Sequence, residues 1–265
     1  MTSDHITSQK DNMLGVTGDR DAYVIRDVWS KLKHLYPTKT KDTNDTEQSI
    51  RDFIGMRKCG VMYSDNANEI KNASERLKIS PHTSQPGMPQ NNAVAERTNQ
   101  DMLAGTRTNL EQAGVPVCFW PYAAEHYCVV DNTSHAQVAA NKEDLTPWQK
   151  THGEDFKGLR IPFGCAVTFK PNPTKEGESH KFSGDAIDGI FAGYELGPGY
   201  TWHGLYRVWA LKDFVDTDLS KFGGVVSHRQ RALHKVKALE LPKMGIHFPL
   251  KQEYDRKNHS LEGLN

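Results

Sequence analysis

The sequence predicts an α/β fold followed by a small β-barrel-like module. Three observations carry this expectation. In the first 135 residues, short apolar runs alternate with stretches whose apolar residues repeat at helical spacing. From about residue 158 to 215, short apolar runs recur around glycine and proline, the texture of a small barrel. A chain of 265 residues with 37% hydrophobic content is also long enough to bury a sizeable core.

Each element can be read in order. Thr2-Ser3-Asp4-His5-Ile6 opens as a strand. Ala22–Val28 and Leu32–Tyr36, joined at Trp29-Ser30-Lys31, have the pattern of an antiparallel hairpin, and Pro37 should close the second run. Asn44 and Glu47 have capping-box spacing. Ile50, Phe53 and Ile54 continue at helical spacing, and Gly55 should end that helix. Val61-Met62-Tyr63 reads as a buried strand ending at Ser64-Asp65-Asn66. A helix is predicted over Ala67–Leu77 and a strand over Ile79–Thr83. The breaker-rich run Ser84–Pro89 is a loop. A long helix should run from about Gln90 to Gln112, with Met102, Leu103, Thr106, Leu110 and Ala113 on its apolar arc and Glu96 at the arc's edge. Another is predicted over Phe119–Val130. Residues 1–135 therefore form the first domain and 136–157 a polar linker. Residues 158–215 form the β module and 216–265 a charged, partly irregular tail.

Composition excludes several classes. No apolar run approaches the ~18 residues of a membrane span. The polar start, MTSDHITSQKDN, lacks the apolar core of a secretory signal. Cys59, Cys118, Cys128 and Cys165 form no CxxC pair, so a zinc knuckle is not expected, and they read as small fillers in a reduced, intracellular protein. Formal net charge is zero, which does not announce a nucleic-acid binder. Residues 221–257 carry nine Lys/Arg against three Asp/Glu. That excess suits either a phosphate backbone or a solvated surface.

Three carboxylates stand at informative places: Asp4 in the first strand, Asp65 at a strand end, and Glu96 opening a helix after a loop. Carboxylates converging from such positions would repel one another, and a divalent cation with its preference for hard oxygen ligands would relieve that repulsion. Two such ions can stabilise both the attacking and the leaving oxygen of a phosphodiester. Spacing alone leaves the plainer readings open, with Asp65-Asn66 as a turn and Asp4 as a terminal residue.

The run Tyr63-Ser64-Asp65-Asn66, followed by Thr83-Ser84-Gln85-Pro86-Gly87-Met88-Pro89-Gln90-Asn91-Asn92-Ala93-Val94-Ala95-Glu96-Arg97, resembles the integrase core of copia-type retrotransposons. Asp4-His5, Gly18-Asp19-Arg20 and Tyr23–Asp27 are similar to its opening hairpin, and Phe119–Ala124 to the helix after the core. Pro162–Cys165 and Gly189–Tyr194 resemble the SH3-like module that follows integrase in these polyproteins. The likeness spans roughly residues 3–215, and the order and spacing of its pieces are more specific than any one of them. It implies a ribonuclease-H-like mixed five-stranded sheet flanked by helices. It also implies Asp4, Asp65 and Glu96 as catalytic, metal-binding residues, with Asp27 a competitor for the first position. Mg²⁺ or Mn²⁺ would be the cofactor, two ions with DNA bound. Asn92, Arg97, Asn99 and Gln100 would approach double-stranded DNA, both element ends and target. The implied reaction is 3′-end trimming and strand transfer, with self-association and a nuclear place of action. The alternative is an inactive remnant that keeps the fold.

The chain departs from the pattern in places. Ala93 replaces the usual glycine, and Gln100 and Leu103 stand where basic residues are common. No zinc module is present and only three residues precede Asp4, so the reading expects a fragment of a longer polyprotein in which Asp4 is weakly held.

Overall fold

The computed structural model describes residues 1–7, 14–83, 93–134, 145–171, 185–223 and 231–259. The first sheet contains β1 (Thr2–Thr7), β2 (Asp21–Arg26), β3 (Lys33–Thr38), β4 (Val61–Ser64) and β5 (Ser80–Thr83) in the order β3-β2-β1-β4-β5. β1, β2 and β3 pair antiparallel, while β4 runs parallel to β1 and to β5. This is the ribonuclease-H-like mixed sheet that the sequence predicts.

Alternation along β2 decides how the helices cover it. Tyr23 and Ile25 face one side, where they share a core with Ile50 and Phe53 of α1 (Thr43–Ile54) and Ile70 and Ala73 of α2 (Asn68–Arg76). Ala22 and Val24 face the other, packed with Met102 of α3 (Ala93–Ala113) and Ala124 and Cys128 of α4 (Trp120–Ser134). Each large side chain so buried contributes roughly 1.5–3 kcal/mol. Three of the four cysteines are buried and all four are free.

Two local expectations need correction. Asp42, not Asn44, caps α1, its side chain accepting from the Asp45 amide. Pro37 does not close the second strand but pairs with Ala22 inside β3. The sheet order puts β3 at an edge, where a missing N–H costs no ladder bond. Gly55 does end α1, with φ at 57°, and it abuts the backbone of Gly199 so closely that a Cβ there would lie 2.5 Å from the Gly199 Cα.

The second sheet is antiparallel throughout. It contains β6 (Ala166–Phe169), β7 (Ile187–Gly197), β8 (Thr201–Ala210), β9 (Leu233–Val236) and β10 (Leu239–Glu240) in the order β10-β6-β7-β8-β9. Lys237 and Ala238 alone separate β9 from β10, although these lie at opposite edges. Three Cα steps span at most ~11 Å, so the edges must meet and the sheet curls like a barrel.

Within the stretch read as a linker, α5 (Pro147–His152) is opened by a capping box of Thr146 and Gln149, and Trp148 is buried. The charged tail supplies β9, β10 and α6 (Lys251–Asn258), whose Tyr254 is buried. One apolar cluster runs from Tyr23 and Phe53 through to Phe169, Phe191 and Tyr200, so the two sheets share a core.

Between the sheets, two of the buried polar residues of α4 bond groups outside the helix. Asn132 Oδ1 accepts from the Lys33 amide at 3.1 Å, and its Nδ2 donates to the Lys33 carbonyl at 2.7 Å and the Tyr200 hydroxyl at 2.8 Å. His126 Nε2 donates to the Ile161 carbonyl at 2.8 Å, and Nδ1 accepts from Asn109 Nδ2 at 3.1 Å.

Replacing Asn132 with leucine strands these buried groups. The expected cost in urea denaturation is about 2–4 kcal/mol, and a loss under ~0.5 kcal/mol would contradict the bridging role.

Burial also holds three imidazoles neutral. It lowers the pKa of His34 to about 3, helped by Arg207, that of His126 to about 4, and that of His5 to about 4, helped by Lys41. These folded values lie below the unfolded value of ~6.5, so the unfolded chain takes up protons first as pH falls. The stability they contribute is complete above pH ~6.5 and drains away toward pH ~4. The denaturation midpoint should therefore drop steeply between pH ~7 and ~5, and a flat profile there would count against buried neutral histidines.

Candidate active site

Asp4 lies in the middle of β1, opposite Val24 of β2. The backbone amide of His5 donates to its Oδ1 at 2.8 Å, and Asn99 Nδ2 donates to its Oδ2 at 2.8 Å. Its strand is held on both sides, by β2 over all six residues and by β4 through Thr2 and Tyr63. The Met1 carbonyl accepts from the Tyr63 amide at 2.9 Å, and the Met1 amino group donates to the Val61 carbonyl at 2.9 Å. The expectation of a weakly held Asp4 is thus not met, because pairing fixes its backbone and α3 grips its side chain.

Asp65 follows directly on β4. Its Oδ1 accepts from the Ala67 amide at 3.1 Å, a turn that starts the chain toward α2. The parallel pairing of β1 and β4 brings this turn near Asp4. Burial, and after it the charge of Asp65, raise the Asp4 pKa, while the His5 amide, Asn99 and Lys41 lower it. Two crowded, half-buried carboxylates are a donor set that a hard divalent cation fits.

Glu96 stands in the first turn of α3, exposed, one helical turn before Asn99. Asp4, Asp65 and Glu96 do not bring three ligand atoms within 4.8 Å of one another; among the described residues Glu111, Asp255 and His259 do, with Lys251 bridging the two carboxylates. Asp27, the competitor, is a turn residue. Although burial opposes it, two bonds from Ser30, amide and hydroxyl, hold its carboxyl below the usual value.

The residues expected near DNA differ in their surroundings. Arg97 and Gln100 are exposed, Asn99 turns inward onto Asp4, and Asn92 lies outside the described residues with the rest of the Pro86–Asn92 loop. Sequence reasoning missed the Asn99–Asp4 bond, although its position three residues after Glu96 put it on the same helix face. It also missed Lys41 as a charge near the acidic pair.

No protein-family model matches the chain. The retrovirus-related Pol polyprotein from transposon RE2 of Arabidopsis thaliana is 28% identical over 193 residues, covering 69% of this chain and 13% of the polyprotein. That from transposon RE1 of the same plant is 28% identical over 203 residues, covering 66% of this chain and 13% of its own length. That from transposon TNT 1-94 of Nicotiana tabacum is 30% identical over 195 residues, covering 68% of this chain and 14% of the polyprotein. The chain thus spans about one eighth of the relatives it matches. Among solved structures, the catalytic core domain of BIV integrase aligns with a TM-score of 0.41 and 18% identity, covering 56% of this chain and 90% of that one. That likeness is distant, and the fold assignment rests on strand order and register. Together with that sheet, the sequence matches make this chain a homologue of a segment of the retrovirus-related Pol polyproteins of copia-type transposons.

Proposed function

We propose that the chain is an integrase-type catalytic core that performs phosphoryl transfer on DNA through Asp4, Asp65 and Glu96. The observation that carries this reading is the crowding of Asp4 by Asp65 across the parallel β1–β4 pair. Paired strands hold Asp4, an Asx turn holds Asp65, and Asn99 orients the second oxygen of Asp4. Glu96, exposed in the first turn of α3, would be the third ligand on this reading. Mg²⁺ or Mn²⁺ bound there would neutralise charge on the phosphodiester and on the attacking oxygen. The protein's own share is positioning, and one site serves both end trimming and strand transfer because only the nucleophile changes. On this reading the partners are element ends and target DNA, the working form is self-associated, and the place of action is the nucleus.

Part of the basic tail is engaged on the protein itself. Lys235 pairs with Glu195, Lys251 with Glu111 and Asp255, Arg256 with Glu253, and Lys257 with Asp218. Such exposed pairs contribute ~0–1 kcal/mol each. No helix among the described residues is long and apolar enough to cross a membrane.

One observation favours the inactive alternative: the three carboxylates stand more loosely than a tight three-ligand cluster. Strand transfer with matched terminal-repeat DNA, in Mg²⁺ and in Mn²⁺, separates the readings. The active reading expects metal-dependent joining that Glu96→Gln and Asp65→Asn each reduce by more than about a hundredfold, ~2.7 kcal/mol in barrier height. Glu96→Gln should leave the urea midpoint unchanged within ~0.5 kcal/mol, because the side chain is exposed. Unaltered joining by these variants would refute the assignment, and wild-type silence in both metals would select the inactive reading.

A further inference from the structure

A cavity of about 300 Å³ opens beside α4, and none of the acidic residues of the candidate active site lines it. Tyr122 of α4, Leu233 of β9 and Val16 of the β1–β2 connection form its sides, and the buried rings of Phe119 and Trp209 back it. Among the described residues its lining holds one cation, Arg231, and no carboxylate.

The Arg231 guanidinium is built into the wall. Its Cζ lies 5.2 Å from the centre of the Phe119 ring and 4.5 Å from that of Phe214, and Nη2 donates to the Thr217 hydroxyl at 2.6 Å. Nε is sealed off without a partner, so no guest reaches it. Nη1 differs: it is not sealed, and it bonds nothing among the described residues. The hydroxyl of half-buried Tyr122 is likewise unbonded among the described residues and open. No carboxylate among the described residues forms an ion pair with Arg231. Burial lowers its pKa, and the opposing effects of Cys118 and Asp213 are smaller. A charge drawn part-way out of water without a counter-ion is costly, and the two aromatic faces recover only part of that cost. The missing partner is an anion. An ammonium guest would meet the guanidinium, and an uncharged guest would leave it uncompensated. The two open donors match in number the two oxygens of a carboxylate, and the apolar sides suit a ring.

We propose that this cavity binds a carboxylate carried on an aromatic body, the carboxylate accepting from Arg231 Nη1 and the Tyr122 hydroxyl and the ring packing against Tyr122, Leu233 and Val16. The proposal is independent of the activity assigned to Asp4, Asp65 and Glu96. The carboxylate could belong to a free aromatic acid or to the C-terminal aromatic residue of a partner chain, and the two sources share this chemistry.

The test titrates the full ¹⁵N-labelled chain while following the indole N–H of Trp209, whose ring backs the cavity. The probes are benzoate, benzyl alcohol, benzylammonium, phenyl phosphate and an acetylated Gly-Gly-Phe peptide with a free C-terminus. Benzoate should move the Trp209 resonance saturably. Benzyl alcohol and benzylammonium, which keep the ring without the carboxylate, should bind at least about tenfold more weakly. Arg231→Gln should weaken benzoate binding by about tenfold, and Tyr122→Phe by about threefold. Should Arg231→Gln misfold, Tyr122→Phe and the comparison of probes on the wild-type chain still decide. Tighter binding of the peptide than of benzoate marks a partner's C-terminus as the source, and equal or weaker binding marks a free acid. The proposal is overturned if benzoate does not shift Trp209 saturably, if benzyl alcohol, benzylammonium or phenyl phosphate binds as tightly, or if a folded Arg231→Gln chain binds unchanged.

Discussion

One buried side-chain amide ties the molecule together. Asn132 is fully buried and sits near the end of α4, where it bonds both the amide and the carbonyl of Lys33 and the hydroxyl of Tyr200. It thereby acts on the edge strand β3 as a short piece of neighbouring strand would, blunting an edge open to foreign pairing. The same amide fastens the β7–β8 turn of the second sheet. Every donor and acceptor of this link is taken out of water, so the link holds only if all of it forms.

Because α4 is fastened at that end, it serves as a shared layer between the sheets. Ala124 and Cys128 belong to the core against the first sheet, while Ala123 packs in the cluster that contains Ile190 and Trp209 of the second. Glu125 and His126 reach groups beyond the first sheet, Arg207 and the Ile161 carbonyl. The helix in turn positions α3. Asn109 of α3 bonds His126 and the Ala123 carbonyl, and Tyr127 donates to Asp101, which pairs with Lys33. Gly105 permits this close approach, since a Cβ there would stand 2.2 Å from the Tyr127 ring. The grip of α3 on Asp4 through Asn99 therefore depends on contacts made far along the same helix.

This arrangement explains which elements were legible beforehand. The hairpin of β2 and β3, the helix ending at Gly55, and the short strand before Asp65 are local decisions of periodicity and breakers. The cap of α1 was misplaced by two residues because Asp42 and Asn44 are both competent caps, and only the path of the chain chooses between them. Pro37 was read as a strand end because a sequence does not say which strand lies at an edge. Trp148 lies in a polar stretch where a single aromatic residue carries no period, and its burial is decided by the core it meets.

For the candidate site, the sequence by itself singled out Asp4, Asp65 and Glu96 and determined the elements that bear them: a strand, a strand end and a helix start. Those follow from local pattern and from motif order. Tertiary structure alone decided that Asp65 crowds Asp4, that Asn99 faces Asp4 and not solvent, and that Glu96 stands apart in the exposed first turn. It alone decided that two sheets separated in the chain by the helices α3, α4 and α5 share a core and enclose a cleft around His34. The reason is physical. Propensity and periodicity act over a few residues, whereas Coulomb energy, desolvation and hydrogen-bond pairing depend on distances in space that the order of residues leaves unspecified.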